Sequence, residues 1–147
     1  MKQKILEYYK QLVQDRIDVY KDMIESLSLD AQNDAKSSAG DKHETALSMM
    51  HLEQEKLSFK LQEAMEHLSI LQTIDINKNS SKISFGSLVK VNELTLFISV
   101  ALPKIVIDDI TVFAVSSESP LAKCLIGKSI GDKFDFNNKE YFIHYFD

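Results

Sequence analysis

The first eighty residues contain one glycine, Gly40, and no proline, whereas both prolines and the other three glycines fall in residues 81–147. Glycine and proline interrupt helices more strongly than any other residues. The first part of the chain is therefore free to form long helices, and the second part carries the residues that turns between short strands need. This asymmetry predicts two parts of different architecture within 147 residues.

The apolar residues of the first part recur at alternating spacings of three and four, the pattern of a coiled-coil seam. The first run comprises Leu6, Tyr9, Val13, Tyr20, Met23 and Leu27, with Arg16 as its polar member. The second run comprises Leu47, Met50, Leu57, Leu61, Ala64, Leu68 and Leu71, with Gln54 as its polar member.

Residues 28–41, between the two runs, are rich in Ser, Asp and Asn, which favour turns and caps. We therefore expect residues 1–76 to form a long antiparallel coiled-coil hairpin with an acidic tip near residues 30–44. The alternative, two helices of a compact bundle, would need further helices that the rest of the sequence does not predict.

Residues 77–147 change to a β pattern, rich in Ile, Val, Phe and Thr with partial alternation. The predicted strands are Ile83–Val91, Glu93–Leu102, Lys104–Val115 and Phe134–Tyr145. One short helix interrupts them, with Ser119 as N-cap, Pro120 at its first position and Gly127 closing it. The sequence predicts an α+β protein in which a small antiparallel β domain with one short helix follows the hairpin.

Composition narrows the function classes. Seventeen Lys and Arg against 22 Asp and Glu give a net charge of −5, which argues against neutralising a long phosphate backbone by overall charge. A single cysteine, Cys124, excludes an internal disulfide and a cysteine-only metal cluster. No apolar run approaches the roughly 20 residues that span a bilayer. We expect a cytoplasmic protein.

The inventory of catalytic residues is small. Cys124 lies among apolar neighbours with no base nearby in sequence, so we expect a buried structural thiol. A 3-oxoacyl-carrier-protein synthase resembles this chain poorly, because that family needs a much longer thiolase-type fold and a cysteine nucleophile with His partners. We expect no enzymatic machinery within the chain itself.

Asp41 and Glu44 form a distinctive pair beside the predicted tip, at the start of the second helical run. Three residues apart on a helix, they point to nearly the same side. One interpretation is that acidic residues favour a helix N-terminus because of the macrodipole. The other is that the pair presents oxygen ligands for Mg²⁺, which typically takes one or two protein carboxylates and completes its octahedron with water and phosphate.

The sequence resembles the Gre family of bacterial transcript cleavage factors over most of its length. The family's tip motif, Gly-Asp-x-x-Glu, is matched by Gly40-Asp41-Lys42-His43-Glu44. Its Phe-Gly-x-x-Val-x-Val strand is similar to Phe85-Gly86-Ser87-Leu88-Val89-Lys90-Val91. Its C-terminal signature is matched by Ser119-Pro120-Leu121-Ala122-Lys123-Cys124-Leu125-Ile126-Gly127-Lys128, which continues to Gly131-Asp132.

The resemblance implies a long N-terminal coiled coil and an FKBP-like C-terminal domain in a transcription elongation factor that binds RNA polymerase. The coiled coil would enter the secondary channel, where Asp41 and Glu44 would share Mg²⁺ with the polymerase active site and assist cleavage of backtracked RNA. No cofactor would be bound tightly, and nucleic acid would be met only through the polymerase. The polymerase-binding neighbourhood it implies comprises Ser119, Pro120, Leu121, Lys123 and Lys128.

The sequence departs from the family just after the tip motif. Where the family continues with Asn-Ala-Glu-Tyr, this chain has Thr45-Ala46-Leu47-Ser48. Related proteins of this architecture include some that occupy the channel without promoting cleavage, so a channel-occupying modulator stays open as an alternative. A coiled-coil module that binds other proteins and has no role at the polymerase is the second alternative.

Overall fold

The computed structural model describes the backbone of residues 1–36 and 41–147 and the side chains of residues 1–33 and 44–147. Two long helices, α1 (Lys2–Lys36) and α2 (Asp41–Gln72), account for the first half of the chain. They confirm the predicted N-terminal helical hairpin. The polar stretch from residue 28 to residue 36, predicted as part of the turn, is instead helical, because polar residues without Gly or Pro carry only a small helix penalty.

The seam of α2 is confirmed: Leu57, Ala64 and Leu71 are buried, and Gln54 is half-buried among them. In α1 the seam differs on one flank from the prediction. Ile17 is buried and Ile24 half-buried, whereas the predicted Arg16 and Met23 are exposed. Val13, Tyr20 and Leu27 belong to both patterns. The observed pattern places Ile17 and Ile24 in the seam where the predicted one would place Arg16 and Met23, so burial of apolar area in place of a charge favours it.

One polar contact joins the two helices within the seam. Gln54 Nε2 donates a hydrogen bond to Ser28 Oγ at 2.9 Å. The pairing of a residue from the first half of α2 with a late residue of α1 is consistent with two helices that run antiparallel. Polar groups within a seam favour one register over its neighbours, since a slipped register would leave them without a partner.

The second half of the chain forms a six-stranded mixed sheet within the described residues. The strands are β1 (Leu88–Val91), β2 (Leu94–Ser99), β3 (Leu102–Ile107), β4 (Ile110–Ser116), β5 (Lys133–Phe136) and β6 (Lys139–Phe146). Their spatial order is β3-β4-β2-β1-β6-β5. The predicted antiparallel arrangement holds for every described pairing except β2 with β4, which is parallel.

Two of the predicted strands are hairpins of two strands each. Lys104–Val115 turns at Asp108 and Asp109, and Phe134–Tyr145 turns at Asn137 and Asn138; φ is between 50° and 64° at all four. Two consecutive residues with positive φ are what a two-residue type I′ hairpin requires, and Asp and Asn tolerate that conformation better than other non-glycine residues. The predicted first strand is also shorter than expected, because β1 begins at Leu88 rather than at Ile83.

The short helix α3 (Pro120–Leu125) confirms the predicted capping. The Ser119 hydroxyl accepts a hydrogen bond from Ala122 N at 3.2 Å, and Pro120 occupies the first position. Ala122 and Leu125 are buried in the core of the sheet with Ile83, Val91, Ile143 and their neighbours. The helix ends at Leu125, and Gly127 follows with φ of 90°, a left-handed conformation that glycine adopts without penalty.

The chain divides into two compact units. The hairpin unit is Lys10–Ser69, and the sheet unit combines Met1–Tyr9 with Ile70–Asp147. The first turns of α1 therefore belong with the sheet: the Tyr9 ring stacks on Phe97 with a centroid distance of 6.2 Å, and its hydroxyl donates to Pro103 O at 2.9 Å. In the described part of the chain, no helix combines the length and the apolar character needed to cross a bilayer.

Candidate functional site

The candidate site predicted from the sequence lies at the first turn of α2. The helix begins at Asp41, so Asp41 and Glu44 are both in that turn, three residues apart. The Glu44 side chain is exposed to solvent. The side chains of Asp34 and Asp41 lie outside the described residues, as does Gly40, and the pairing of the two carboxylates therefore stays a prediction.

The chemistry of this turn suits a hard cation only in part. Carboxylate oxygens are ligands that Mg²⁺ prefers, and an exposed Glu44 is free to approach an ion held elsewhere. Among the residues whose side chains are described, no group of three or more His, Cys, Asp or Glu could hold a metal ion. A magnesium ion at this turn would thus need further ligands from a partner, from substrate phosphates or from water.

The structure gives a reason for one departure from the Gre tip sequence. Ala46 and Leu47 are half-buried and begin the seam of α2, while Thr45 and Ser48 are exposed. Leu47 takes the place of the family's glutamate and contributes apolar area to the seam. Thr45 and Ser48 take the places of its asparagine and tyrosine, which changes the chemistry that this turn presents to solvent.

A feature of the hairpin unit that the sequence prediction missed is the exposed apolar surface of α2. Leu52 is 60% exposed and Phe59 is 74% exposed, and Met49 lies nearby in sequence and is also exposed. Leu52 and Phe59 are seven residues apart and so share one side of the helix. The sequence could have predicted this surface, because Leu52 and Phe59 are spaced by one heptad beside the residues of the seam.

The segment Ser119–Lys128 divides into structural and outward-facing residues. Ser119 caps α3, and Leu121 is half-buried against the sheet core, so these two residues maintain the fold. Pro120 and Lys123 are exposed, and Lys128 is half-buried.

The two lysines of this segment have different local partners. Lys123 Nζ lies 3.8 Å from Glu118 Oε2, an exposed contact worth little in water. Lys128 Nζ lies 5.7 Å from the centre of the Phe134 ring. The Lys123 side chain is 64% exposed, so a partner could approach its ammonium group.

Cys124 lies in the same helix and is half-buried rather than buried as predicted. A six-residue helix covers the sheet with one face only, and Ala122 and Leu125 occupy that face. Within the described residues no side-chain hydrogen bond reaches the Cys124 thiol. None of the described side chains is therefore placed to act on this thiol as a base.

Among the described groups, Tyr9 is the titratable group whose environment clearly changes its pKa. Burial raises the pKa of the Tyr9 hydroxyl to about 12. Its hydrogen bond to Pro103 O and its stacking on Phe97 explain why this hydroxyl stays neutral and structural. It lies in the sheet unit, and none of the predicted site residues is among these contacts.

Comparisons with known proteins include a distant structural similarity. No protein-family model matches the chain, and no curated protein matches it. A solved structure described as that of the transcription factor Gfh1 aligns over 93% of this chain and 92% of its own, with 17% sequence identity and a TM-score of 0.38. A TM-score this low carries no inference about function.

Proposed function

We propose that this protein is a bacterial, cytoplasmic RNA polymerase-binding transcription factor of the Gre type that inserts its helical hairpin into the secondary channel. The observation that carries the proposal is the position of the tip motif. The described part of the motif, from Asp41 to Glu44, is the first turn of α2 and therefore lies at one end of a long helix of the hairpin. A carboxylate-bearing end on a narrow hairpin is a shape that can deliver oxygen ligands into a confined site.

The motifs at the other end of the sequence support the same proposal. The Phe85–Val91 and Ser119–Lys128 matches occur in the family's order, and both fall within one domain of sheet and short helix. Pro120, Lys123 and Lys128 would make the contact with the polymerase rim, while Ser119 and Leu121 hold the segment in shape. An FKBP-like relation of this domain is part of the proposal.

In the proposed mechanism the hairpin supplies ligands and the polymerase supplies the rest of the site. Asp41 and Glu44 would bind and orient a shared Mg²⁺ and a water molecule beside the 3′ end of backtracked RNA. When bound, the ion would lower the pKa of that water and stabilise charge on the phosphate, as in two-metal hydrolysis. The chain's own contribution would be position, because a single helical turn would hold both carboxylates.

The second candidate is a Gre-like factor that occupies the channel without assisting cleavage. Thr45 and Ser48 stand where the family has asparagine and tyrosine, and Ser48 is exposed. A tip that keeps the two carboxylates but lacks these neighbours would still fill the channel. Competition with substrate entry would then be its effect on transcription.

A transcript cleavage assay on stalled, backtracked complexes of the source organism's RNA polymerase tests the proposal. The wild type is compared with Asp41→Asn/Glu44→Gln, and polymerase binding is measured for both. The matched control is Glu63→Gln/Glu66→Gln, because these exposed carboxylates have the same spacing on the same helix but lie more than four turns from the tip.

The proposal of assisted cleavage expects RNA shortening by the wild type and by the control, and none by the tip variant, with binding unchanged in all three. If all three proteins bind and none shortens the RNA, the channel-occupying candidate is supported. If the wild type does not bind polymerase, both candidates fail, and the alternative of a coiled-coil module that binds other proteins is the one left to test.

A second experiment tests the proposed rim contact. Lys123→Glu reverses an exposed charge of α3, and Lys104→Glu, at an exposed position on β3, is the control. Polymerase affinity should fall about tenfold or more in the first variant and stay within about twofold in the second. Equal affinities of the two variants would exclude α3 from the interface.

A further inference from the structure

The sheet unit contains a cavity of about 180 Å³ that the proposed function does not use. Its lining comes from the start of α1, the segment after α2, the turn before β1 and the end of β6. Buried residues form its floor: Lys2, Ile74, Gly86 and Ser87. Exposed polar residues form most of its rim.

Lys2 is the unusual member of the floor. Only 6% of its surface is exposed, although lysine is among the residues least often buried. Within the described part of the chain, its ammonium group has neither an ion pair nor a side-chain hydrogen bond. An ammonium group that lines the cavity and has no protein acceptor is available to a ligand that supplies one.

Ser87 adds a second donor to the floor. It is 6% exposed, and its Oγ accepts a hydrogen bond from Ser84 N at 3.1 Å, which leaves its own O–H to donate. The backbone N–H groups beside it already have acceptors, since Gly86 N donates to Ile98 O and Ser87 N donates to Ser84 O. The donors that the floor leaves open are therefore the Ser87 hydroxyl and the Lys2 ammonium.

One further feature favours an acceptor-bearing occupant, and a second explains how closely the floor packs. The first turn of α1 contains no acidic residue, so no side chain of that turn neutralises the partial positive charge of the helix N-terminus beside Lys2. Gly86 has φ of 88°, and a Cβ at this position would lie 3.1 Å from Ile74 Cγ2. The floor can pack this closely because residue 86 has no side chain.

The rim limits the charge of the occupant. Lys78 brings a second ammonium group, while Asp75 and Asp147 bring carboxylates, and all three residues are exposed. Asp75 Oδ1 accepts a hydrogen bond from Asn77 N at 2.9 Å. Two carboxylates at the mouth disfavour a highly charged polyanion. The volume is also below the roughly 300 Å³ at which pockets for larger ligands begin.

We infer that this cavity binds one small oxyanion group, a carboxylate or a phosphate, between the Lys2 ammonium and the Ser87 hydroxyl. The inference is independent of polymerase binding, because none of the residues proposed for the tip or for the polymerase-binding segment lines the cavity.

Titration of the ¹⁵N-labelled full chain by two-dimensional NMR tests the inference. Inorganic phosphate and acetate are the two probes, and sodium chloride at matched ionic strength is the reference. Amide signals of Gly86 and Ser87 should shift saturably with at least one probe. Lys2→Met, which keeps the aliphatic stem, should weaken binding about tenfold or more, and Ser87→Ala should weaken it several-fold.

The matched control is Lys82→Met, which removes an exposed charge that does not line the cavity and should leave the affinity unchanged. Lys2→Arg keeps the charge and should retain measurable binding. The probe that saturates identifies the head group, and saturation by both indicates recognition of oxyanions in general. Shifts that chloride reproduces, or equal affinity in wild type and in a folded Lys2→Met or Ser87→Ala variant, would overturn the inference.

Discussion

In the hairpin unit, the buried hydrophobic residues among those described are Val13, Ile17, Leu57 and Ala64, whereas the strands β1, β2 and β4 of the sheet each contribute two or three. Leu52 and Phe59 of the hairpin are mostly exposed, while Phe97 of the sheet is completely buried. Two helices can cover only one stripe of each other, but a sheet covered by helices buries whole faces.

This difference shows in which unit packing restricts the choice of residue at most positions. Most positions on the hairpin can change without opening a cavity, so their residues are free to serve a partner or a site. In the sheet unit the same freedom is confined to the surface and to turns. The candidate carboxylates of Asp41 and Glu44 lie on the less constrained unit, and the capped segment Ser119–Lys128 lies on the more constrained one.

The largest effect should come from Tyr9, the α1 residue that belongs to the sheet unit. Tyr9→Ala removes a fully buried ring stacked on Phe97 and should lower the free energy of unfolding by about 3–5 kcal/mol. Tyr8→Ala, at the exposed neighbour, is the control and should cost less than about 1 kcal/mol. Urea unfolding followed by circular dichroism measures both. Equal losses would mean that the first turns of α1 do not belong to the sheet core.

The next largest effect should be the difference in unfolding free energy between a buried and an exposed leucine of α2. Leu57→Ala removes a side chain that is 3% exposed and should cost about 2–4 kcal/mol, because it leaves a gap between the helices. Leu52→Ala is the same change on the same helix at an exposed position and should cost within about 0.5 kcal/mol. Helicity as a function of urea separates the two. A loss at position 52 as large as that at position 57 would contradict the observed seam.

The pKa of Tyr9 predicts a pH dependence that belongs to the sheet unit. An unfolded tyrosine has a pKa of about 10, and burial raises that of Tyr9 to about 12. The stabilisation from its neutral hydroxyl is therefore complete below pH 10 and is lost as pH rises toward 12. Tyr9→Phe cannot titrate, so its unfolding free energy should fall less across this range, by on the order of 2 kcal/mol.

Unfolding curves at several pH values between about 9 and 12 measure this difference. Tyr145→Phe, at an exposed tyrosine, is the control and should follow the wild type. If the Tyr9→Phe and wild-type stabilities fall in parallel, the hydroxyl is not buried in solution as it is in the structure.

The cap of α3 gives the smallest of these effects. Ser119→Ala removes the acceptor of the Ala122 N–H and should cost about 1 kcal/mol. Ser117→Ala, two residues earlier, is the control and should be nearly neutral, because no described contact involves that hydroxyl. Thermal unfolding measures both. A neutral Ser119→Ala would show that Pro120 and the packing of Leu125 hold the helix without its cap.

The sequence predicts best those features that depend on local chemistry. The absence of Gly and Pro predicts long helices, and Ser119 followed by Pro120 predicts the start of α3. The prediction that Arg16 and Met23 belong to the α1 seam was wrong. Val13, Tyr20 and Leu27 fit two heptad patterns, and packing against the partner helix decides between them. The turns at Asp108 and Asn137 were missed, since a run of strand-forming residues conceals a two-residue turn without glycine.

Features that depend on distant residues could not be predicted. The parallel pairing of β2 with β4 joins strands with β3 between them in sequence, and no local pattern encodes it. The burial of Lys2 contradicts the usual preference of lysine and follows from where α1 begins relative to the cavity lining within the sheet unit. The carboxylate pair at Asp41 and Glu44 stays a prediction.

The strand order has a kinetic consequence. β3 follows β2 after two residues, Val100 and Ala101, yet β4 lies between them in the sheet. The link between β2 and β3 must therefore span two strand spacings, about 9.5 Å, and leave a slot that only β4 fills. β3 pairs only with β4 among the described strands, so loss of the β2–β4 pairing would detach β3 from the sheet as well. We therefore expect the amide hydrogens of β3 and β4 to exchange with solvent as one cooperative group, because the hairpin turned at Asp108 and Asp109 opens as a unit.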